Sequence, residues 1–502
     1  MDDVYFLAID AGTTRIKAGL FSETGHLLDL VKADVEIARP FEGACEVDMD
    51  VVWQSVCRLL RDLMDRNAER WTRLSGVGVT GQGDGLWPVD SSGKAVRNAI
   101  LWNDTRTKHL LLDEGAALEQ FCLEKGMTPL FPGAGPLLLK WIKAYEPDHF
   151  RRTARVLHCK DWINLKLTGR ATTDYSDAST ALLNVLNKEY VFELLPLLGL
   201  EGCAELFPPT YSSTNICGVI TSRAAAETGV PAGVPVIGGA IDVAAVAAGT
   251  GAVNPGQALT IVGTTLCNEL VLNAEQVDHR DLRGSVLCHL VPERYLRVMA
   301  TSNGTAVLDW ARQTFAPGLP FAEIERGMAS LPVGSDGVLF HPYFYGERAP
   351  FKNASARGGF YGLSAQHTPM HLLRAVYEGL ALSLYDCYQS LPQVEKDIYI
   401  AGGGAASDFL CQMAADCLGR SVVRPAAAEL GLNGIAQALC ATFSAESLRE
   451  HASAVPPEHI FTPDLKKHGH YVELYVLFVQ MRKASEDYWL GREKRLQGLD
   501  IS

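Results

Sequence analysis

Apolar residues run from Val4 to Ile9, stop at Asp10, and resume from Ile16 to Phe21 after the small polar stretch Ala11-Gly-Thr-Thr14. Two β-strands joined by a tight turn are predicted. Gly12 lets the backbone approach a ligand closely, and Thr13, Thr14 and the free N–H groups of such a turn offer donors to phosphate oxygens. Asp10, at the strand end, is placed to hold Mg²⁺ through water. An ordinary hairpin with a polar turn predicts the same pattern, so one copy decides nothing.

A second copy lies about half a chain away. Residues 258–272 repeat the layout of apolar run, Gly263-Thr-Thr265 and apolar run. A repeat at that spacing predicts two similar domains, with two turns gripping the phosphates of one nucleotide from both sides. Elsewhere, Val52, Val56, Leu59, Leu60 and Leu63 share one face of a helix, and Leu474, Leu477, Phe478 and Met481 have the same spacing in a helix expected to pack in the core. Tyr399-Ile-Ala-Gly-Gly-Gly-Ala-Ala-Ser-Asp408 reads as strand, glycine turn and helix, and Arg374 to Tyr385 as helix. Val234 to Val253 is long enough to suggest a membrane span. Its Asp242 and its many Gly and Ala residues predict a buried strand and a helix instead.

At 502 residues the chain is long enough for two full cores. A hydrophobic content of 47% and a charged content of 21% are those of a soluble globular protein. The net charge of −13 argues against nucleic acid or an anionic membrane as partner. Twelve cysteines are scattered without a CxxC pair, as in a reducing compartment rather than a disulfide framework or a zinc site. The chain begins Met-Asp-Asp and passes directly into a strand, with no basic leader, so a cytoplasmic location is expected.

Three stretches carry candidate chemistry. Gly81-Gln82-Gly-Asp84-Gly85 follows a short β run and can present a carboxylate to a pocket, or be a surface turn. Trp102-Asn103-Asp104 and Arg106 mix a ring face with amide and charged groups, a composition that suits carbohydrate and equally suits a strand end with salt bridges. Asp242 stands between a strand end and an Ala-rich helix. It is either a helix cap or a general base shortly before the second glycine-threonine turn.

These stretches together resemble the FGGY family of carbohydrate kinases over nearly the whole chain. Gly358-Gly-Phe-Tyr-Gly-Leu363 followed by His371-Leu-Leu-Arg-Ala-Val-Tyr-Glu378 fits the family's C-terminal signature, and Pro342 to Pro350 is similar to its Pro-Tyr-x-x-Gly-Glu-Arg-x-Pro segment. The first signature is matched only loosely around Gly135 to Trp141, where Leu138 replaces an expected lysine. The resemblance implies an α/β fold of two ribonuclease H-like domains of the actin/Hsp70 ATPase type, with ATP in the cleft. Residues 1–245 would form the half that binds carbohydrate and carries the base, and residues 246–502 the nucleotide half. It further implies Asp242 as catalytic base and Asp10 as the residue positioning Mg²⁺. Thr13, Thr14, Lys17, Gly263 and Thr264 would meet the phosphates, and Gly403, Gly404, Asp408 and Asp309 the rest of the nucleotide. Gln82, Asp84, Trp102, Asn103 and Asp104 would meet the carbohydrate. Relatives of this kind imply a homodimer or homotetramer.

Glycerol kinases carry Arg-Glu and D-xylulose kinases Met-His where this chain has Gly83-Asp84. Gly83 predicts a roomier pocket, and the sequence looks more like erythritol kinases (Val79 to Trp87, Leu157 to Trp162) or L-xylulose kinases (Gly238 to Val243). A four- or five-carbon polyol or ketose is expected, with erythritol slightly ahead. The same fold also serves actin-like and chaperone ATPases and sugar-responsive repressors. A repressor needs a basic helix-turn-helix and a chaperone a further domain, and neither is seen. No GxxxxGK[ST] or HRD-x₄-N motif supports other kinase classes.

Overall fold

The opening apolar run becomes the strand Tyr5–Ala11, buried along nearly its whole length. It pairs antiparallel with Arg15–Ser22 from Tyr5↔Ser22 to Ala11↔Ile16, which closes the predicted hairpin. On its other side it runs parallel to Leu74–Gly81. A strand hydrogen-bonded on both edges and covered on both faces has no polar side to show, hence the unbroken run of apolar residues. The computed structural model describes residues 4–497, apart from 282, 393, 428, 445–446 and 453–454. Within them the chain forms two compact units, the first comprising the chain up to Asn254 together with Leu272–Leu296 and Ala427–Val455, and the second Pro255–Val271, Arg297–Ala426 and the chain from Pro456 onward.

The sheet of the first unit has the order Ile216–Val219, Pro235–Ile237, Leu74–Gly81, Tyr5–Ala11, Arg15–Ser22 and Leu27–Asp34, with Ala240–Ile241 paired to the end of Leu74–Gly81. The predicted helix is Met49–Arg66, with Val52, Val56, Leu59, Leu60 and Leu63 all buried, and Asp48 caps it by accepting from the N–H groups of Asp50 and Val51. Helix Leu430–Phe443, though late in the sequence, packs on the Tyr5–Ala11 strand and on helix Asp242–Thr250.

The second unit repeats the opening motif. Ala258–Val262 pairs antiparallel with Leu266–Leu272 and parallel with Ile398–Ala401, which continues to Val422–Pro425 and then antiparallel to Pro457–Phe461. The duplication read from the two glycine-threonine turns is therefore a duplication of strand order. Gly12 N–H bonds the Arg15 carbonyl and Gly263 N–H the Thr265 carbonyl, so both turns close on themselves.

One expectation holds in outline and another needs adjusting. The stretch 234–253 splits into strands Pro235–Ile237 and Ala240–Ile241 and helix Asp242–Thr250, and no helix among the described residues is long and apolar enough to cross a membrane. The last helix, Leu465–Gln497, buries Tyr471, Phe478, Ser485 and Trp489, while Leu477 is 53% exposed and Leu474 and Met481 are only partly covered. Three of those buried positions recur every seven residues, so the helix lays down a narrow stripe rather than the broader face the leucines suggested. The cysteines are free thiols, all but Cys267 buried.

Candidate active site

Three parallel strand ends put the first carboxylates together. Asp10 lies in register with Thr80, and Thr80 with Ala240, so the chain leaves the sheet at neighbouring points after Ala11, Gly81 and Ile241. Side chains just beyond the carboxyl ends of parallel strands surround the usual ligand crevice of such sheets. Gln82 N–H bonds the Ala11 carbonyl, and the Thr80 hydroxyl bonds the Ala240 carbonyl, which fixes the three ends to one another.

Asp242 is the first residue of helix Asp242–Thr250, and Ile241 is its cap. Among the described residues its Oδ1 accepts only from the adjacent Val243 N–H at 2.7 Å, not from an N–H two or three residues on, as a capping side chain does. The capping explanation therefore fails. Desolvation, followed by the charge of Asp10, pushes the Asp242 carboxyl up to about 7; the Val243 N–H opposes the rise, and Asp177 and Asp84 add to it. Asp10 is pushed up to about 6, chiefly by burial, with Lys17 opposing and Glu429 adding to the rise. Lys17 stands opposite Asp10 in the hairpin, and its ammonium lies 3.7 Å from Asp10 Oδ2 and 2.7 Å from Glu429 Oε2. The lysine is held between two carboxylates.

A chain of hydrogen bonds links the turn to the carbohydrate candidates. Trp102 Nε1 donates to the Thr13 hydroxyl at 3.1 Å, and that hydroxyl donates to Gln82 Oε1 at 3.2 Å. Thr14 is exposed and Asn103 partly so. Asp84 occupies the left-handed region at φ 53°, a conformation that the short polar side chains of Asp and Asn tolerate best. Asp104 differs from its neighbours. It is buried, with Oδ1 accepting from Arg106 N and Nε and Oδ2 from Cys45 N and Arg106 Nη2, so its carboxylate is saturated.

Gly83 does not open the pocket. A Cβ there would sit 2.0 Å from Ile241 Cδ1 and 3.2 Å from Asp177 Oδ1, so the volume a larger residue would use is already filled. Behind it lies a buried charge cluster. The Lys160 ammonium lies 2.5 Å from Asp161 Oδ1, 2.9 Å from Asp174 Oδ1 and 3.0 Å from Asp177 Oδ2, and His158 Nδ1 lies 3.0 Å from Asp161 Oδ2. Neither Asp177 oxygen has a partner in hydrogen-bond geometry. Desolvation works against the His158 cation, but Asp177 and Asp161 outweigh it and push the imidazole up to about 9.

In the second unit, Thr264 is exposed at the tip of its turn, and a Cβ on Gly263 would meet nothing closer than the Thr265 carbonyl at 3.6 Å. Gly403 opens a short 3₁₀ turn, Gly403–Ala406, and a Cβ added to it would meet nothing within 4 Å, whereas one on Gly404 would strike Val262 Cγ1 at 2.3 Å. Asp408 starts the next helix and is held by Arg424 Nη2 at 2.7 Å. Asp309 lies on helix Thr305–Phe315, ion-paired to Arg312 and half exposed. The position matching Asp10 in this repeat is Ile261, so only the first turn carries a carboxylate.

Two family models cover almost all of this architecture. The N-terminal domain of the FGGY family of carbohydrate kinases matches residues 5–249, and the C-terminal domain matches residues 258–443. The chain belongs to the FGGY family of carbohydrate kinases. It is 30% identical to a xylulose kinase of Bacillus subtilis over 84% of both chains. It is 31% identical to a probable L-xylulose kinase of Pasteurella multocida, over 86% of this chain and 89% of that one. Its fold superposes on a crystal structure described as a xyloylose kinase from Brucella ovis with a TM-score of 0.90 at 26% identity, over 96% of this chain and 100% of that one. As an FGGY protein it is an ATP-dependent carbohydrate kinase with the two-domain α/β fold of the actin/Hsp70 type.

Two residues of this FGGY site are not singled out by the sequence. Glu429 pairs with Lys17, yet a lone glutamate far along the chain gives no signal of what it meets. Asp177 is hidden among the polar residues Asp174, Ser176, Ser179 and Thr180, a composition that an exposed loop shows equally. A lysine within three residues of Asp161 and His158, in a run with Trp162 and Ile163, is the available clue that such a stretch is interior.

Proposed function

We propose that Asp242 takes the proton of the sugar hydroxyl that receives the γ-phosphoryl group, and that the sugar is a four- or five-carbon polyol or ketose. The observation that carries this reading is the position of Asp242 at a parallel strand end, uncapped, with a carboxyl raised to about 7 by desolvation and by Asp10. A sugar hydroxyl is a poor nucleophile, and a base titrating near the working pH accepts its proton most effectively. Trp102, Thr13 and Gln82 form one hydrogen-bonded row that orients the Gln82 amide, and Asp84 and Asn103 supply further polar contacts. Asp104, saturated by Arg106 and Cys45, holds the loop that carries Trp102 and Asn103.

By chain order we assign carbohydrate and base to residues 1–245 and nucleotide to residues 246–502, although Ala427–Val455 packs within the first unit. Gly263, Thr264, Gly403, Gly404, Asp408 and Asp309 are assigned to ATP with Thr13, Thr14 and Lys17. Asp10, whose partner Lys17 is shared with Glu429, is assigned to a hard divalent cation held through water. When bound, Mg²⁺ would offset charge on the phosphoryl oxygens. The protein's own contribution is position and preorganised donors rather than covalent chemistry.

ADP release is to be measured with a panel of erythritol, L-xylulose, D-xylulose, glycerol and no sugar. Release stimulated at least tenfold by a four- or five-carbon member supports the reading. Release that glycerol alone stimulates, or that no sugar stimulates, overturns it.

A further inference from the structure

The Gly263–Thr265 turn does not stand alone in the second unit. Thr305 N–H bonds the Gly263 carbonyl at 2.8 Å, and Leu266 N–H is shared between the Asn303 carbonyl at 3.2 Å and the Thr301 hydroxyl at 3.1 Å. Thr301 Oγ1 in turn donates to the Asn303 carbonyl at 2.6 Å, while Thr301 N–H bonds the Leu266 carbonyl at 2.8 Å. Contact is close enough that a Cβ on Gly304 would lie 2.6 Å from the Gly263 carbonyl oxygen and 2.7 Å from that of Thr264. The shape of the turn is thus set by the segment Thr301–Thr305 pressed behind it.

That segment is itself fixed by one carboxylate. Glu347, only 4% exposed, comes from the proline-bounded loop Pro342 to Pro350. Its Oε1 accepts from Ser302 N–H at 2.7 Å and Arg348 N–H at 2.9 Å, and its Oε2 from Asn303 Nδ2 at 3.4 Å. Asn303 Nδ2 also donates to the Gly346 carbonyl at 2.9 Å, and Arg348 Nε to the Ala300 carbonyl at 2.8 Å. Every partner of the carboxylate is a donor, and two of them are main-chain groups of the segments it joins. A buried acceptor with this many donors is costly to replace by a group that donates.

We propose that Glu347 is a positioning residue for nucleotide binding, holding the Gly263–Thr265 turn in shape through Ser302, Asn303 and Gly304. The inference rests on the assignment of that turn to the phosphates of ATP. The Glu347 side chain touches no ligand in this scheme and acts only through the backbone it anchors.

Glu347→Gln keeps size and one oxygen, but turns an amide N–H₂ toward a donor. KM for ATP, calorimetric affinity for ADP, KM for the best sugar of the panel and melting temperature are measured together. A weakening of ADP and ATP of at least fivefold, with the sugar KM within twofold, is expected. Unchanged nucleotide constants with a lower melting temperature, or a parallel loss for sugar and nucleotide, show a purely structural role and overturn the inference. If the variant does not fold, Asn303→Ser, which removes the amide between Glu347 and Gly346, carries the same expectation and the same refutation. Gly263→Val separates this inference from the reading beneath it, because a Cβ there meets nothing closer than the Thr265 carbonyl at 3.6 Å while the branched side chain fills the approach to the turn. Nucleotide affinity unchanged in Gly263→Val removes the phosphate assignment and this inference with it. Affinity lost in Gly263→Val but kept in Glu347→Gln removes the positioning role alone.

Discussion

Gly434 lies so close to the Ala245 carbonyl that a methyl group on it would be 1.9 Å from that oxygen. One turn along, Gly249 meets the Leu430 carbonyl at 2.0 Å on the same terms, and Asn433 Nδ2 donates to the Gly249 carbonyl at 3.0 Å. Helices Asp242–Thr250 and Leu430–Phe443 touch backbone to backbone. The helix that begins with the proposed base is thereby seated against the helix that follows Glu429.

Gly434→Ala is expected to force these two helices apart. Overpacking of this kind costs about 1–3 kcal/mol. Melting should fall by several degrees, and kcat should fall more than the melting shift explains, because Asp242 moves with its helix. Circular dichroism melting with steady-state kinetics at a temperature well below the transition checks both. A variant as stable and as active as the parent would show that the contact yields easily.

Asp242→Asn should remove turnover and leave ATP affinity nearly intact, since the amide keeps the shape but cannot accept the proton. It should also change stability in a pH-dependent way. The folded carboxyl is raised to about 7, so its favourable contribution is complete below the unfolded value and is lost as pH rises through 7. The amide escapes that loss. At pH 8 the variant should be more stable than the parent by up to about 4 kcal/mol, roughly three pKa units at about 1.4 kcal/mol each, and near pH 4 the difference should be small. Denaturant unfolding at the two pH values tests this, and equal stability at both would show that Asp242 is not desolvated in solution.

The hairpin and its repeat are readable in the sequence because each is local: apolar runs, a glycine and two hydroxyls within fewer than twenty residues. Helix Met49–Arg66 is readable for the same reason, its periodicity being intact and its cap present. What cannot be read depends on contacts made across the chain. Gly83 looks like added space, but whether a missing side chain leaves a hole depends on its neighbour, and Ile241 fills it. Glu429 meets Lys17 only because a helix that lies more than 400 residues further on returns to the first sheet. Leu477 fits the spacing of a buried face, yet the face turned inward is the one carrying Tyr471 and Phe478. Asp104 sits in a plausible sugar motif, and only the folded loop shows Arg106 occupying it.

The pH dependence of the reaction should follow Asp242 in its ionised form. With sugar and ATP subsaturating, kcat/KM is expected to rise with pH and level off above about 7. Asp177 contributes a like charge that holds the Asp242 carboxyl up, so Asp177→Asn should move the rising limb to lower pH while the plateau rate stays within a fewfold of the parent. A limb that stays in place or moves upward would show that the two carboxylates do not interact.

Gly83 and Ile241 supply a paired test of what shapes the carbohydrate side. A Cβ on residue 83 would overlap Ile241 Cδ1 at 2.0 Å, so Gly83→Ala must displace the isoleucine that precedes the base. The single variant is expected to lose about 1–3 kcal/mol of stability, as overpacked cores do. It should also lose turnover, because Ile241 is the cap residue of the Asp242 helix. Ile241→Ala alone removes buried methyl groups and costs about 2–4 kcal/mol. Combined, the two changes exchange volume across one contact, so the double variant should be more stable than the sum of the singles by at least about 1 kcal/mol, a coupling typical of touching residues. Its turnover should recover part of what Gly83→Ala lost. Additive losses in the double variant would show that the clash is relieved elsewhere, and that residue 83 does not act on the base through Ile241.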